Sequence, residues 1–158
     1  MAVIDGKSVI YIDKIESPAT IKVDLPVGKR MPAYCTGLGK VLLAHLPEMT
    51  VRELFEDEPL IRYTKNTITD IDELCQHLAK IREQGYAVDN EEYVEGLLCI
   101  AAPIWGHTKN VVAALSVALS KFRYSDDDDK IAHIRDILLD VARRFSISLG
   151  YQSSHIDS

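Results

Sequence analysis

Two apolar stretches, Leu97–Ile104 and Val111–Leu119, constrain the fold of this chain more than any other feature. Each is far shorter than the roughly 20 apolar residues a membrane-spanning helix needs. The segment between them, Gly106-His107-Thr108-Lys109-Asn110, consists of turn-forming and polar residues. Short apolar runs bounded in this way read as neighbouring central strands. A connection this short permits only antiparallel pairing, since a parallel return needs a crossover of a dozen or more residues.

The opening of the chain also reads as strands. Val9, Tyr11 and Ile15 fall on alternating positions, with Ile10 and Ile12 on the other face. Asp5-Gly6-Lys7 predicts a turn that pairs Ala2–Asp5 with Ser8–Ile15. Ile21, Val23 and Leu25 alternate with Lys22 and Asp24, which predicts a half-buried strand stopped by Pro26. Helices follow. Thr36-Gly37 precedes Leu38, Val41, Leu42 and His45, a short amphipathic helix ending near Pro47. Thr50 is expected to cap Val51–Phe55. Thr69 or Asp70 caps the next helix, with Asp72 or Glu73 completing a capping box. The buried stripe of that helix is Ile71, Leu74, Leu78 and Ile81, and Gly85 suits a left-handed stop. Tyr86–Asn90 is a short strand. Ser125 is expected to cap a last long helix, with Asp126 to Asp129 at its positive dipole end and Arg143 and Arg144 near the other. Ile131, Ile134, Leu138, Val141 and Phe145 form its expected apolar face, and Gly150 ends it. Strands, helices, strands and a helix, with antiparallel pairing, make an α+β fold rather than a doubly wound one.

The length, 158 residues, is that of one domain. The tail 152–158 has one apolar residue and is expected to fray. A formal charge of −6 argues against this chain gripping a nucleic-acid backbone by itself. The start lacks the basic-then-apolar pattern of a secretory signal. Three cysteines, Cys35, Cys75 and Cys99, form no CxxC pair and suit reduced thiols in a cytosol.

Chemistry has four candidate locations. In Tyr34-Cys35-Thr36-Gly37-Leu38-Gly39-Lys40, two glycines flank a helix start. Free amides over Thr36, Gly37 and Leu38 suit a small carboxylate, and a tight packing turn explains the same residues. In Asp89-Asn90-Glu91-Glu92, Glu91 and Glu92 read as a solvated turn, whereas Asp89 closes a strand and can point inward. Cys99 in an apolar strand reads as a small core residue, since a nucleophile needs a nearby base and a lowered pKa. Ser116, among apolar neighbours, needs a partner in the backbone or in a ligand. The histidines, His45, His77, His107, His133 and His155, are scattered, without zinc spacing, and read mostly as surface residues. Trp105 reads as core or interface.

Four segments together resemble the C-terminal effector-binding domain of the IclR family of bacterial transcription regulators. They are Gly28-Lys29-Arg30-Met31-Pro32 leading to Cys35–Ala44; Thr67-Ile68-Thr69-Asp70; Gly85–Glu92 with Gly96; and Cys99–Ile104 followed by Val112–Val117. The resemblance runs from about Val9 to Tyr151. Asp13-Lys14-Ile15-Glu16 with Tyr34-Cys35-Thr36-Gly37 is most similar to members that sense sugar acids. It implies a GAF-like fold, a central antiparallel sheet flanked by helices, over residues 1–151. It also implies an N-terminal winged helix-turn-helix outside this chain, which alone meets DNA. The implied partners are a small organic-acid effector and further copies of the chain, as a homodimer or homotetramer. No cofactor, metal, catalytic residue or membrane is implied. In the implied effector site, Gly37 and Leu38, next to Thr36, give amides to a carboxylate. Asp89, Cys99 and Ser116 present polar atoms, and Met31, Leu97 and Val23 form apolar wall. Ala118 stands where some members carry a second serine, which removes one hydroxyl. A cysteine hydrolase using Cys99 or Cys35, and a dimerisation domain without ligand, are the competing readings.

Overall fold

A computed structural model describes residues 1–16, 25–124 and 127–152. Six strands form one sheet: β1 Ala2–Asp5, β2 Ser8–Tyr11, β3 Arg30–Pro32, β4 Ala87–Asn90, β5 Leu97–Trp105 and β6 Val111–Ser120. Five helices accompany them: α1 Gly37–Ala44, α2 Glu48–Leu54, α3 Ile71–Gln84, α4 Lys121–Tyr124 and α5 Asp128–Ser148. The strand order is β3-β2-β1-β6-β5-β4, and every neighbouring pair is antiparallel. This is the expected α+β architecture. The central hairpin pairs Leu97 with Ser120 through to Trp105 with Val111, with a bulge at Ile104/Trp105.

Side chains alternate across a strand, so the registers sort residues onto two faces. Ala87, Ala101, Ala114, Ala2, Val9 and Met31 line one face and pack under α1, with α3 behind it. Leu98, Ile100, Ala102 and Leu119 line the other, covered by Leu138 and Ala142 of α5. The abundance of Ala on the first face lets α1 lie close to the sheet. Its first turn rests against β4 and β5.

Several local expectations hold in detail. Asp70 caps α3 and accepts from the Glu73 amide at 2.9 Å, and Gly85 closes that helix at φ 83°. Others are corrected. The second strand stops at Tyr11 rather than Ile15, and β3 was not foreseen because it holds only three residues, one of them proline. The strand expected at Ile21–Leu25 falls largely outside the described residues, and Leu25 itself is not in a strand. Thr50 lies inside α2, whose N-cap position is Pro47, where φ is −56°. α2 therefore begins at Glu48, three residues earlier than a Thr50 cap suggests. Ser125, Asp126 and the residues after Gln152 also lie outside the described set, and Asp127 caps α5 by accepting from the Lys130 amide at 3.0 Å. The buried face of α5 is Leu138, Ala142 and Ser146, while Val141 and Phe145 are exposed. The apolar stripe is wider than the contact it makes with the sheet. Trp105 lies between His45 and Tyr151 with ring centroids 4.9 and 5.6 Å away, and its amide donates to Ser146 Oγ at 2.9 Å.

Candidate functional site

The N-terminus of α1 stands on the sheet face that carries Asp89 and Cys99. Thr36 Oγ1 caps the helix by accepting from the Gly39 amide at 3.3 Å, and it donates to the Pro32 carbonyl at 2.9 Å. Gly39 sits so tightly on the preceding segment that a Cβ would lie 2.1 Å from the Ala33 carbonyl oxygen. Gly37 faces the sheet, where a Cβ would lie 3.4 Å from that of Ala101 and 3.6 Å from those of Asp89 and Cys99. The two glycines thus set the helix start against the strands.

Asp89, the penultimate residue of β4, lies beneath this start and is 4% exposed. Its Oδ1 accepts from the Glu92 amide at 2.8 Å, and the Gly37 amide also favours its charged form. A carboxylate therefore does occupy the head of α1, and it belongs to the chain itself. Burial dominates its titration and raises it to about 7. The Glu92 charge adds to that rise, and Lys40 with the two amides offsets only part of it.

Lys40, one turn into α1, is fully buried. Its ammonium pairs with Glu92 Oε1 and donates to the Val88 carbonyl at 2.8 Å. Its third contact is His77 Nε2 at 3.1 Å. An ammonium only donates, so His77 Nε2 is the acceptor and the imidazole is neutral. Burial first, and then Lys40, holds His77 down at about 4. Glu92 Oε2 is buried without a hydrogen-bond partner among the described residues. The Glu91–Glu92 turn is drawn inward by two hydroxyls. Thr67 Oγ1 donates to the Glu92 carbonyl and Thr64 Oγ1 to the Glu91 carbonyl, each at 2.6 Å. The expected solvated turn is thus corrected for Glu92. Glu91 is half-buried, pairs with Lys121, and adopts φ 60°.

The α1 start, Thr36-Gly37-Leu38, lies against Asp89 and Cys99 through Gly37. Pairing of Ala101 with Ser116 and of Cys99 with Ala118 puts Ser116 on the same face, one strand further in. Ala118 is exposed there, and Cys99 and Ser116 are only half-buried, so this face is open beside the buried Asp89. Leu97 is buried two residues from Cys99. Met31 is buried on the same face but on the opposite edge strand, β3. Val23 lies outside the described residues.

Sequence reasoning missed Lys40, Glu92, His77 and Tyr11. One signal was available, since Lys40 is the single charge in the otherwise apolar Gly37–Ala44 helix. Burial first, and then Cys99 and Asp89 within electrostatic reach, raises the hydroxyl pKa of Tyr11 on β2. Burial raises the Cys99 thiol and pushes Cys35 to about 12, with Asp89 adding to both. That is the reverse of thiol activation. His45 and His77 are half-buried, contrary to the surface reading, whereas His107 and His133 are exposed. His155 lies outside the described residues. Among the described residues no group of three His, Cys, Asp or Glu is placed to hold a metal ion, and no helix is long and apolar enough to cross a membrane.

The family model described as bacterial transcriptional regulator IclR C-terminal matches residues 1–147. The chain belongs to the IclR C-terminal family. XynR of Escherichia coli K12, an HTH-type transcriptional regulator, is 36% identical over 151 residues, which are 96% of this chain and 59% of XynR. The chain thus spans little more than half the length of such curated relatives. The C-terminal domain of E. coli KdgR superposes with a TM-score of 0.83 at 36% identity, over 95% of this chain and 85% of that one. The inducer-binding domain of PobR from Acinetobacter, a double mutant in complex with 3-hydroxybenzoic acid, superposes at 0.78 with 27% identity, over 92% and 85%. The matching IclR-family proteins are transcription regulators rather than enzymes.

Proposed function

We propose that this IclR-type domain senses a small organic acid, a keto acid or sugar acid, and passes its occupancy to a DNA-binding part of the full regulator in the cytoplasm. The observation that carries the reading is the convergence of Asp89, Cys99 and the α1 start at Gly37 on one open sheet face. Backbone amides at a helix start favour anions. Ser116 adds a hydroxyl on the same face, and Met31 and Leu97 add apolar surface. PobR, a relative, holds an organic acid. Self-association is part of the proposal. Between β6 and α5 lies a groove of about 270 Å³ lined by Leu115, Ser116, Val117, Ile134, Ile137, Leu138 and Val141.

The mechanism is a population shift. An acid that binds one arrangement of paired domains better moves the equilibrium by its differential affinity. Coupling of about 1–3 kcal/mol changes operator affinity roughly 5–150-fold. Calorimetric titration and thermal shift against a panel of keto, sugar and aromatic acids test the reading. Saturable binding that weakens at least tenfold in Gly37→Ala is expected, and silence across the panel overturns it.

A further inference from the structure

The charges around Asp89 do not balance if an anion arrives. The Lys40 ammonium has three protons, and all three are committed to Glu92 Oε1, the Val88 carbonyl and His77 Nε2. None remains for Asp89. Among the described residues, the groups facing Asp89 are Glu92 from its own turn, Lys40 from α1, Cys99 from β5, Tyr11 from β2 and Cys35 from the segment before α1. His77 of α3 lies behind Lys40 and is neutral. This set holds one ammonium against two carboxylates, and one Glu92 oxygen has no hydrogen-bond partner among the described residues. A ligand carboxylate arriving at the α1 start, beside the Asp89 carboxylate that already meets the Gly37 amide, would be a third anion. Like charges this close in a buried site cannot all remain ionised.

The geometry points to proton-coupled binding: an organic acid enters as its carboxylate while Asp89 takes one proton from solvent and donates that new O–H to the ligand. Asp89 then favours a carboxylate over a cation, because the neutral acid supplies an O–H donor that a bound ammonium has no lone pair to accept. The balance is simple. Ligand carboxylate, one solvent proton and the Asp89 carboxylate give a complex with a net charge of about −1 at these groups, the same as Asp89 alone before binding, with no bond to carbon made or broken. The raised titration of Asp89, near neutrality, puts this exchange within the physiological range.

This inference rests on the acid-sensor reading, and its test separates the two. The chain is titrated calorimetrically with 2-oxobutyrate, gluconate and 3-hydroxybenzoate, each in phosphate and in Tris, between pH 5.5 and 8.5. The expected result is that binding takes up close to one proton at pH 8 and almost none at pH 5.5, with Kd rising about tenfold per pH unit above 7. Asp89→Asn, neutral at every pH, should abolish the buffer difference and flatten the pH profile. The wild-type buffer comparison decides the matter even if that variant folds poorly. Binding without proton uptake and with a flat profile overturns the coupling and leaves the sensor reading standing. Binding by none of the three acids overturns both.

Discussion

The ammonium of Lys40 and the carboxylate of Glu92, 52 residues apart in sequence, form an ion pair inside the molecule, with side chains 0% and 8% exposed. The pair joins the first turns of α1 to the β4–β5 turn, so the helix start and Asp89 are held in fixed relation. Removing one member leaves the other buried without its countercharge, which costs about 3–5 kcal/mol. Lys40→Met should therefore lower urea stability by that amount. The double change Lys40→Met, Glu92→Leu should recover most of the loss, because apolar replacement of a whole buried pair is often neutral. A double variant no better than the single would mean the loss has another origin.

Asp89 and His77 make stability depend on pH in opposite senses. Asp89 is raised from 3.8 to about 7 in the fold, so its contribution is fully present below pH 4 and is lost as pH rises through 7. His77 is lowered from 6.5 to about 4, so its contribution is present above pH 6.5 and is lost as pH falls through 4. Denaturation midpoints measured from pH 4 to 8 should gain at the alkaline end in Asp89→Asn. In His77→Gln they should lose less on acidification than the wild type does.

The two glycines of α1 should respond differently to alanine. A Cβ at Gly39 collides with the Ala33 backbone, which cannot yield cheaply, so Gly39→Ala should cost more than about 4 kcal/mol and reduce soluble yield. At Gly37 the added methyl meets three Cβ atoms at ordinary contact distance. Gly37→Ala should fold within about 1 kcal/mol of the wild type. Its effect should appear as weaker binding of acids. Equal melting temperatures for the two variants would contradict this assignment.

Ser146, fully buried on α5, accepts from the Trp105 amide and donates to the Ala142 carbonyl at 2.7 Å. It is the polar joint between α5 and the end of β5. Ser146→Ala orphans the Trp105 N–H and should cost about 1–3 kcal/mol. Faster hydrogen exchange at Trp105 in the variant is the check.

Much of the frame was legible because its causes are local. The β5–β6 hairpin follows from two apolar runs and a polar turn, and α3 from Asp70, its stripe and Gly85. These signals act over a few residues and need no partner. The edge strand β3 was not legible, since three residues carry no periodicity and its pairing with β2 is what makes it a strand. The exposed side of α5 was misread for a related reason. Val141 and Phe145 continue its apolar stripe, but only a sheet edge wide enough to meet them would bury them.

The candidate site divides in the same way. Turn chemistry in the sequence itself determined the Thr36 cap, the glycines of the α1 start and the inward strand position of Asp89. Tertiary structure alone decided that Glu92 is buried, that Lys40 lies between it and His77, and that the carboxylate at the head of α1 is Asp89. The physical reason is that a buried charge is stabilised by whichever opposite charge and dipoles the fold brings to it, and here those come from β4, the following turn and α3, far away along the chain.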